Sequence, residues 1–507
     1  MEPLAFRRVL VANRGEIAVR IIRACRALGL ETVALFSDAD AEARHVVMAD
    51  AALHVGPPPS SESYLCADRI LSLALDAGCD AVHPGYGFLS ENAAFAQAAI
   101  DAGMTWIGPP PSAIASMGSK TQARLVMEHA GVPVVPGNSA ALSSLEETIQ
   151  LADEIGYPVM LKAAMGGGGK GMRQVDAKED LESALLGAQS EARKSFGDDS
   201  VYLEKRILQP KHVEIQVLAD KHGNVIHLFE RDCSVQRRHQ KVIEEAPCAV
   251  LSSSIRESMA KAACDAARAV QYEGAGTVEF LLCPDGAFYF LEMNTRLQVE
   301  HPITEMITGV DLVQAQCRIA SGEPLWLRQE DLSIRGHSIE CRIYAEDARR
   351  GFRPAPGVIQ HYAEPQGPFV RVDSGVQSGS DVSVHYDPMI AKLVVWGANR
   401  EEAIRRCERA LREFEVVGIC TSIPLFFAIL RDEAFQKGEY DTSFLTEQWM
   451  EANIGDGPVP SKSIVALAAV LRQVKMHALI GKGEAQREPA VSAWRRTLSW
   501  KHKGRGF

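Results

Sequence analysis

The sequence predicts a mixed α/β and α+β protein that opens with a Rossmann-like parallel sheet. Three observations carry this. Residues 8–110 alternate short β-type runs with helical patterns, the rhythm of βαβ units. Residues 115–330 mix helices with strand pairs. Residues 335–445 return to strands before a charged helix. At 507 residues the chain exceeds one core and calls for about two to four domains. The expected segments are 1–114, 115–330, 335–445 and a helical, basic tail at 446–507.

In the first segment, "MEPLAFRRVLVANRGE" places two arginines before a very short apolar run that "NRGE" interrupts. That is too short for a signal-peptide core and reads as the first strand. The helical "GEIAVRIIRACRALG" follows, then the strand-like "ETVALFS", "AALHVG", "DAVHPG" and "TWIG". Arg14-Gly15-Glu16 stands where a dinucleotide fold would carry GxGxxG, so no dinucleotide is expected. "IGPPPS" closes the segment at 107–112.

Composition narrows the function classes. With 46% hydrophobic and 23% charged residues the chain is neither disordered nor membrane-embedded. No run of about 18 apolar residues exists, so no membrane span is expected. Eleven scattered cysteines, without a CxxC pair, read as free thiols in a reducing, cytoplasmic compartment. A net charge of −11 argues against nucleic acid as the main partner. An anionic ligand would need local basic groups.

The middle segment supplies them. In "AAMGGGGKGMR" (163–173), Gly171 rather than Ser or Thr follows Lys170, and Ala164 stands five before Gly169, so this is not a Walker A loop. It remains an open loop after the strand "YPVMLKAA", able to fold N–H groups onto an anion that Lys162 also reaches. A merely flexible hairpin is the competing reading of the loop alone. "ERDCSVQRRHQKVIEEAP" (230–247) concentrates Arg231, Arg237, Arg238, His239 and Lys241; strand parity selects His239 and Lys241 as inward groups. "HVEIQVL" (212–218) puts His212, Glu214 and Gln216 on one face and Val213, Ile215 and Val217 toward a core.

"GTVEFLLCPDGAFYFLEMNTRLQVEHP" reads as a hairpin turning at Pro284-Asp285-Gly286. Pairing Leu282 with Ala287 sets Glu279 opposite Phe290, on one face with Glu292 and Asn294 and with Phe288 and Phe290. Two carboxylates and an amide oxygen in one space suit Mg²⁺, although a one-residue slip would undo the face. Arg296, Gln298 and Glu300 continue at spacing two. A carboxylate beside a guanidinium could deprotonate a small acid whose anion the arginine holds. Strand-like "GHSIECRIYAE", "GVIQHYAE" and "AKLVVWG" then precede the helix "NREEAIRRCERALREFEV".

"NRGEIAVRIIRACRALG", "HPGYGFLSEN", "KAAMGGGGKGM", "ERDCSVQRRHQKVIEEAP" and "EMNTRLQVEHPITEMITGVDLV" together closely resemble biotin carboxylase, an ATP-grasp family, from about residue 6 to about 445. The resemblance implies an ATP-grasp central domain with a glycine-rich lid at about 134–204, between the Rossmann-like and C-terminal biotin carboxylase domains. It implies MgATP as cofactor, with Mg²⁺ or Mn²⁺ and two ions, and bicarbonate as co-substrate. Carried over by motif, Lys120 and Lys162 hold ATP phosphates and Gly168 and Gly169 belong to the lid. Glu204, Lys205 and Ile207 surround adenine, with His212 and His239 also at the nucleotide. Glu279, Glu292 and Asn294 bind the metal. Lys241, Arg296 and the Val299 backbone bind bicarbonate, Glu300 is the base, and Arg342 and Tyr86 serve biotin. Met165 stands where some members have another glycine.

The implied reaction carboxylates biotin through carboxyphosphate, the first half-reaction of a biotin-dependent acyl-CoA carboxylase of the acetyl- or propionyl-CoA type. Val474-Lys475-Met476 lacks the Ala-Met-Lys-Met context of a biotin attachment site. Biotin is therefore expected on a separate carrier protein or domain, with a carboxyltransferase subunit, in a homo-oligomer or larger complex. The alternatives are an ATP-grasp carboxylate–amine ligase and a non-catalytic scaffold of such a complex. Arg342 and "RLQVEH" speak against the first, and chemically competent residues at every motif position against the second.

Overall fold

Aliphatic runs separated by helices build the first sheet. Strands Arg8–Val11 (β1), Glu31–Ser37 (β2), Ala51–Gly56 (β3), Ala81–His83 (β4) and Thr105–Trp106 (β5) pair in parallel in the order β3-β2-β1-β4-β5. Helix Gly15–Ala27 (α1) follows β1 and buries Ile17, Ile21 and Ile22. Gly15 takes φ +66°, which lets the chain turn sharply from β1 into α1. Glu16 thereby lands in the first helical turn, at the strand ends where parallel sheets collect ligands. This computed structural model describes residues 4–138, 142, 144–164, 171–454 and Val470.

Strands Val159–Ala163 (β6), Met172–Val175 (β7) and Val201–Lys205 (β8) form a separate antiparallel sheet, ordered β7-β6-β8. Leu161, Val175, Leu185 and Leu203 give it a core of its own. Met165, Gly168 and Gly169 lie outside the described residues, as do Val474-Lys475-Met476 and the basic tail from Trp494.

The site rests on an eight-stranded sheet. Its members are Lys211–Ala219 (β9), Val225–Arg237 (β10), Gln240–Ala246 (β11), Gly274–Leu282 (β12), Phe288–Asn294 (β13), His337–Tyr344 (β14), Val370–Ser374 (β15) and Met389–Gly397 (β16). The order is β13-β12-β9-β10-β11-β14-β16-β15. One sheet therefore runs through both the second and third segments read from the sequence, because β14 pairs along the edge that β11 would otherwise leave open. Helix Ser253–Ala269 (α2) covers one face over Val213, Ile215 and Val217, the apolar side expected of "HVEIQVL". Helix His301–Thr308 (α3) packs Ile303 and Ile307 on Ala246 and Val394. Helix Arg400–Glu413 (α4), capped by Asn399, buries Ala403 and Cys407 beside Cys341 and Leu393. All eleven cysteines are free. No helix among the described residues is long and apolar enough to cross a membrane.

Candidate active site

A guanidinium in the sheet organises the site. Arg231 on β10 is fully buried, and it donates from Nε to Glu214 Oε1 at 2.5 Å. Its Nη1 donates to Gln216 and Thr304, and its Nη2 to Thr277 and Gln298. A charge removed from water this completely is tolerated only when paired and fully bonded. The network thus fixes β9, β10, β12 and α3 relative to one another.

The face of Glu279, Glu292 and Asn294 forms by a different register from the one expected. The hairpin pairs Leu282 with Phe288, not Ala287, and a β-bulge between Glu279 and Phe280 sets Glu279 directly opposite Glu292. Glu279 therefore does not face Phe290. The bulge also reverses the aromatics: Phe290 joins Phe280, Val278 and Met293 in the core. Asn294 donates from Nδ2 to Glu279 Oε1 at 2.8 Å. Burial raises the Glu292 carboxyl pKa, facing Glu279 raises it further, and Lys120 opposes them. An ionised Glu279 that makes the ionisation of the facing Glu292 costly fits a hard cation placed between them.

Lys241 stands at the centre of the charged residues. Its Nζ donates to Glu214 at 2.6 Å, Glu279 at 2.9 Å and Glu300 at 2.7 Å. Burial disfavours its charge, but the three carboxylates more than offset this and hold its pKa well above the ordinary lysine value. Glu300 also accepts from Arg342 Nη2 at 2.8 Å, while Arg342 Nε donates to Glu244 at 2.6 Å. Burial works to raise Glu300, yet Lys241, Arg342 and Arg231 hold it well below the usual carboxylate range. Arg296 donates to Asn294 at 2.9 Å and to Glu91 at 2.9 Å. Parity fails for His239: it sits exposed in the β10–β11 turn at φ +66°, beside Arg238 at +50°, so it does not share the inward face of Lys241.

On the side of the small sheet, Lys162 Nζ donates to Glu204 at 2.5 Å, and Arg124 donates to the same carboxylate at 3.1 Å. Lys205 turns its ammonium to the carbonyls of Gly156 and Tyr157 at 2.8 and 3.0 Å. Ile207 follows, half-buried, in the connection after β8. Burial lowers the Lys120 pKa, with Glu292 opposing. His212 Nε2 lies 2.8 Å from Glu279 Oε2; burial disfavours its charge, but Glu279 holds its pKa above the ordinary histidine value. Across Glu300 a cavity of about 520 Å³ is lined by Arg14, Glu16, Tyr86, Glu91, Arg296, Val299 and Arg342.

The family model for the biotin carboxylase N-terminal domain matches residues 5–114. That for the carbamoyl-phosphate synthase L chain ATP-binding domain matches 119–328, and that for the biotin carboxylase C-terminal domain 340–447. Biotin carboxylase 1 of Bacillus subtilis is 53% identical over 87% of this chain and 98% of its own length. The chain belongs to the biotin carboxylase family. A pyruvate carboxylase subunit from Methanothermobacter thermautotrophicus is 50% identical over 92% of this chain and 98% of its own. Among solved structures, biotin carboxylase from Campylobacter jejuni superposes with TM-score 0.84 at 46% identity, covering 87% of this chain and 98% of that one. The biotin carboxylase domain dimer of Hydrogenobacter thermophilus 2-oxoglutarate carboxylase, solved with MgADP, ADP and bicarbonate, superposes with TM-score 0.83. It is 49% identical, covering 87% of this chain and 97% of that one. The mixed α/β architecture read from the sequence is that of biotin carboxylase, with an ATP-grasp centre.

Sequence reading placed no role on Glu91 or Glu244, and counted Arg231 only among the basic groups of residues 230–247. Their partners lie far away in the chain: Glu91 meets Arg296, and Glu244 meets Arg342. Only the folded chain reveals such contacts. The one available signal was Glu214, which shares its expected face with His212 and receives both Arg231 and Lys241.

Proposed function

We propose that this biotin carboxylase carboxylates biotin on a separate carrier, using ATP and bicarbonate through carboxyphosphate, with Glu300 as the base that deprotonates bicarbonate. The observation that carries this is the double anchoring of Glu300. One oxygen accepts from Lys241, which also holds Glu279; the other accepts from Arg342, which lines the open cavity. A single carboxylate thus borders both a metal-nucleotide side and a biotin side.

Glu279, Glu292 and Asn294 would hold Mg²⁺ or Mn²⁺, expected as two ions, which would supply charge neutralisation for phosphoryl transfer. Lys120 and Lys162 bind the phosphates, under the lid that carries Gly168 and Gly169. Glu204, Lys205 and Ile207 border adenine, and His212 and His239 contact the nucleotide. Lys241, Arg296 and the Val299 backbone hold bicarbonate beside Glu300. Bicarbonate competes with Glu300 for Lys241, and a carboxylate released from that ammonium becomes the stronger base. Glu300 takes the bicarbonate proton as the freed oxygen attacks the γ-phosphorus, and ADP leaves with the bridging oxygen. Carboxyphosphate then divides into CO₂ and phosphate. Phosphate takes the biotin N1′ proton, Arg342 stabilises the enolate beside Tyr86, and N1′ bonds to CO₂. A closed lid keeps water from the intermediate.

The same proposal includes the carrier protein or domain, a carboxyltransferase subunit, assembly into a homo-oligomer or larger complex, and a cytoplasmic location. Support comes from the relative named as part of a pyruvate carboxylase, from the dimer of the Hydrogenobacter domain and from eleven free thiols. An acyl-CoA as final acceptor is included; the site itself ends at carboxybiotin. The test is ADP release from MgATP with and without bicarbonate, then with free biotin, beside an Arg296→Ala control. Bicarbonate-dependent turnover that biotin accelerates and the variant loses supports the proposal. Turnover indifferent to both overturns it.

A further inference from the structure

Lys392 has no part in that scheme, yet it is a fully buried ammonium at its edge. It lies on β16, directly across from Arg342 on β14 and Asp373 on β15. Its Nζ donates to the Val299 carbonyl at 2.7 Å and lies 3.3 Å from Glu16 Oε1. Tyr86 donates its hydroxyl to the same Glu16 oxygen, and Lys392 Nζ stands 5.9 Å from the centre of the Tyr86 ring. Glu16, Tyr86 and Val299 all line the cavity.

These four residues come from three parts of the chain. Glu16 and Tyr86 belong to the first sheet region, Val299 to the segment entering α3, and Lys392 to the far strands of the large sheet. Burying an ammonium costs several kcal/mol unless partners offset it. The buried carboxylates of Asp373 and Glu340 also act on this ammonium besides Glu16, yet its 2.7 Å hydrogen bond goes to an uncharged backbone carbonyl. Core packing does not require a charge at that point; fixing a peptide plane does. The Val299 carbonyl belongs to the peptide that carries the Glu300 N–H, and Glu300 caps α3. Holding that oxygen sets the plane from which the Glu300 carboxylate departs.

We propose that Lys392 is a positioning residue: by holding the Val299 carbonyl and Glu16, it fixes the Val299–Glu300 peptide for bicarbonate and couples it to Tyr86 on the biotin side. This rests on the assignment of bicarbonate to the Val299–Glu300 segment. Arg342 and Lys241 restrain the Glu300 carboxylate itself; Lys392 restrains the backbone behind it.

The experiment measures ADP release by the full chain as a function of bicarbonate, MgATP and free biotin, for wild type, Lys392→Met and Lys392→Arg. Circular dichroism and thermal melting report folding of each. Loss of a charge-assisted hydrogen bond predicts that Lys392→Met raises the bicarbonate KM by about tenfold or more while the MgATP KM stays within about twofold. Lys392→Arg keeps the charge and recovers part of that loss. Glu16→Gln, which keeps an acceptor for Lys392 and Tyr86, guards against a Met variant that does not fold. It is expected to raise the biotin KM more than the MgATP KM. A bicarbonate KM unchanged in folded Lys392→Met, or a proportional loss of kcat alone, overturns the positioning role. Should Lys392→Met fail to fold, an unchanged biotin KM in Glu16→Gln overturns it. If wild type itself shows no bicarbonate-dependent ADP release, it is the assignment of bicarbonate that fails.

Discussion

Glu300 is 2% exposed and bound on both oxygens by cations. A carboxylate so held is a weak proton acceptor, so under the proposed function Glu300 becomes an effective base only once an arriving anion takes Lys241 from it. Glu300→Gln keeps the shape and loses the proton acceptor. Its bicarbonate-dependent ADP release should fall by about 10²- to 10⁴-fold, the usual range for a general base. Nucleotide binding, followed by fluorescence titration with an ATP analogue, should change little. A variant that keeps wild-type turnover would move the base elsewhere. At this scale motif likeness singled out Lys241 and Arg342, and both bind Glu300. Spacing two did not carry through Arg296, Gln298 and Glu300, because the chain leaves the strand after Asn294 and turns at Val299–Glu300 into α3. Parity failed at His239 because two consecutive left-handed residues form the turn, and nothing in "RRHQ" marks them. The Glu244–Arg342 and Glu91–Arg296 pairs span long stretches of the chain and leave no local pattern.

At the scale of elements, the sequence was most informative where periodicity was strong and least where a bulge intervened. The five parallel strands and α1 lie where the alternation put them. The β12–β13 hairpin shows the opposite: one extra residue on β13, Leu291, between the partners of Glu279 and Phe280 shifts the register across the bulge while Glu279 stays opposite Glu292. The first sheet also carries a pH liability. Burial lowers the His45 pKa to about 4 and that of His83 to about 3. Both histidines stay neutral in the fold, while an unfolded chain binds their protons below about 6.5. Their stabilising contribution is therefore present above about pH 6.5 and is lost as pH falls toward 4 and 3. Each adds a slope of about 1.4 kcal/mol per pH unit in that window. Urea unfolding between pH 7 and 5 should show that slope reduced by about this amount in His45→Gln. Equal slopes in variant and wild type would mean that His45 is charged in the fold.

The unit Met1–Ile454 is held together, among its described residues, by charges as well as by hydrophobic cores. Arg20 on α1 donates to Glu305 on α3 at 2.8 Å and to Asp311 at 2.7 Å. Arg371 on β15 donates to the other Glu305 oxygen at 2.6 Å and to Asp373 at 2.7 Å. Glu305 thus joins the first sheet region to the large sheet, and it also accepts from the Leu312 N–H at 2.7 Å. Burial would raise its pKa, but Arg20 and Arg371 hold it below the usual value. Removing a buried member of such a network leaves two guanidiniums short of a partner. Glu305→Ala should therefore lose about 3–5 kcal/mol. Because the lost contacts lie between regions rather than inside one core, the loss should also weaken cooperativity. Denaturant unfolding followed by both tryptophan fluorescence and circular dichroism would separate into non-coincident transitions in the variant. Coincident transitions with a loss below about 1 kcal/mol would show that apolar packing alone joins the regions, and that the paired charges contribute little more than surface salt bridges do.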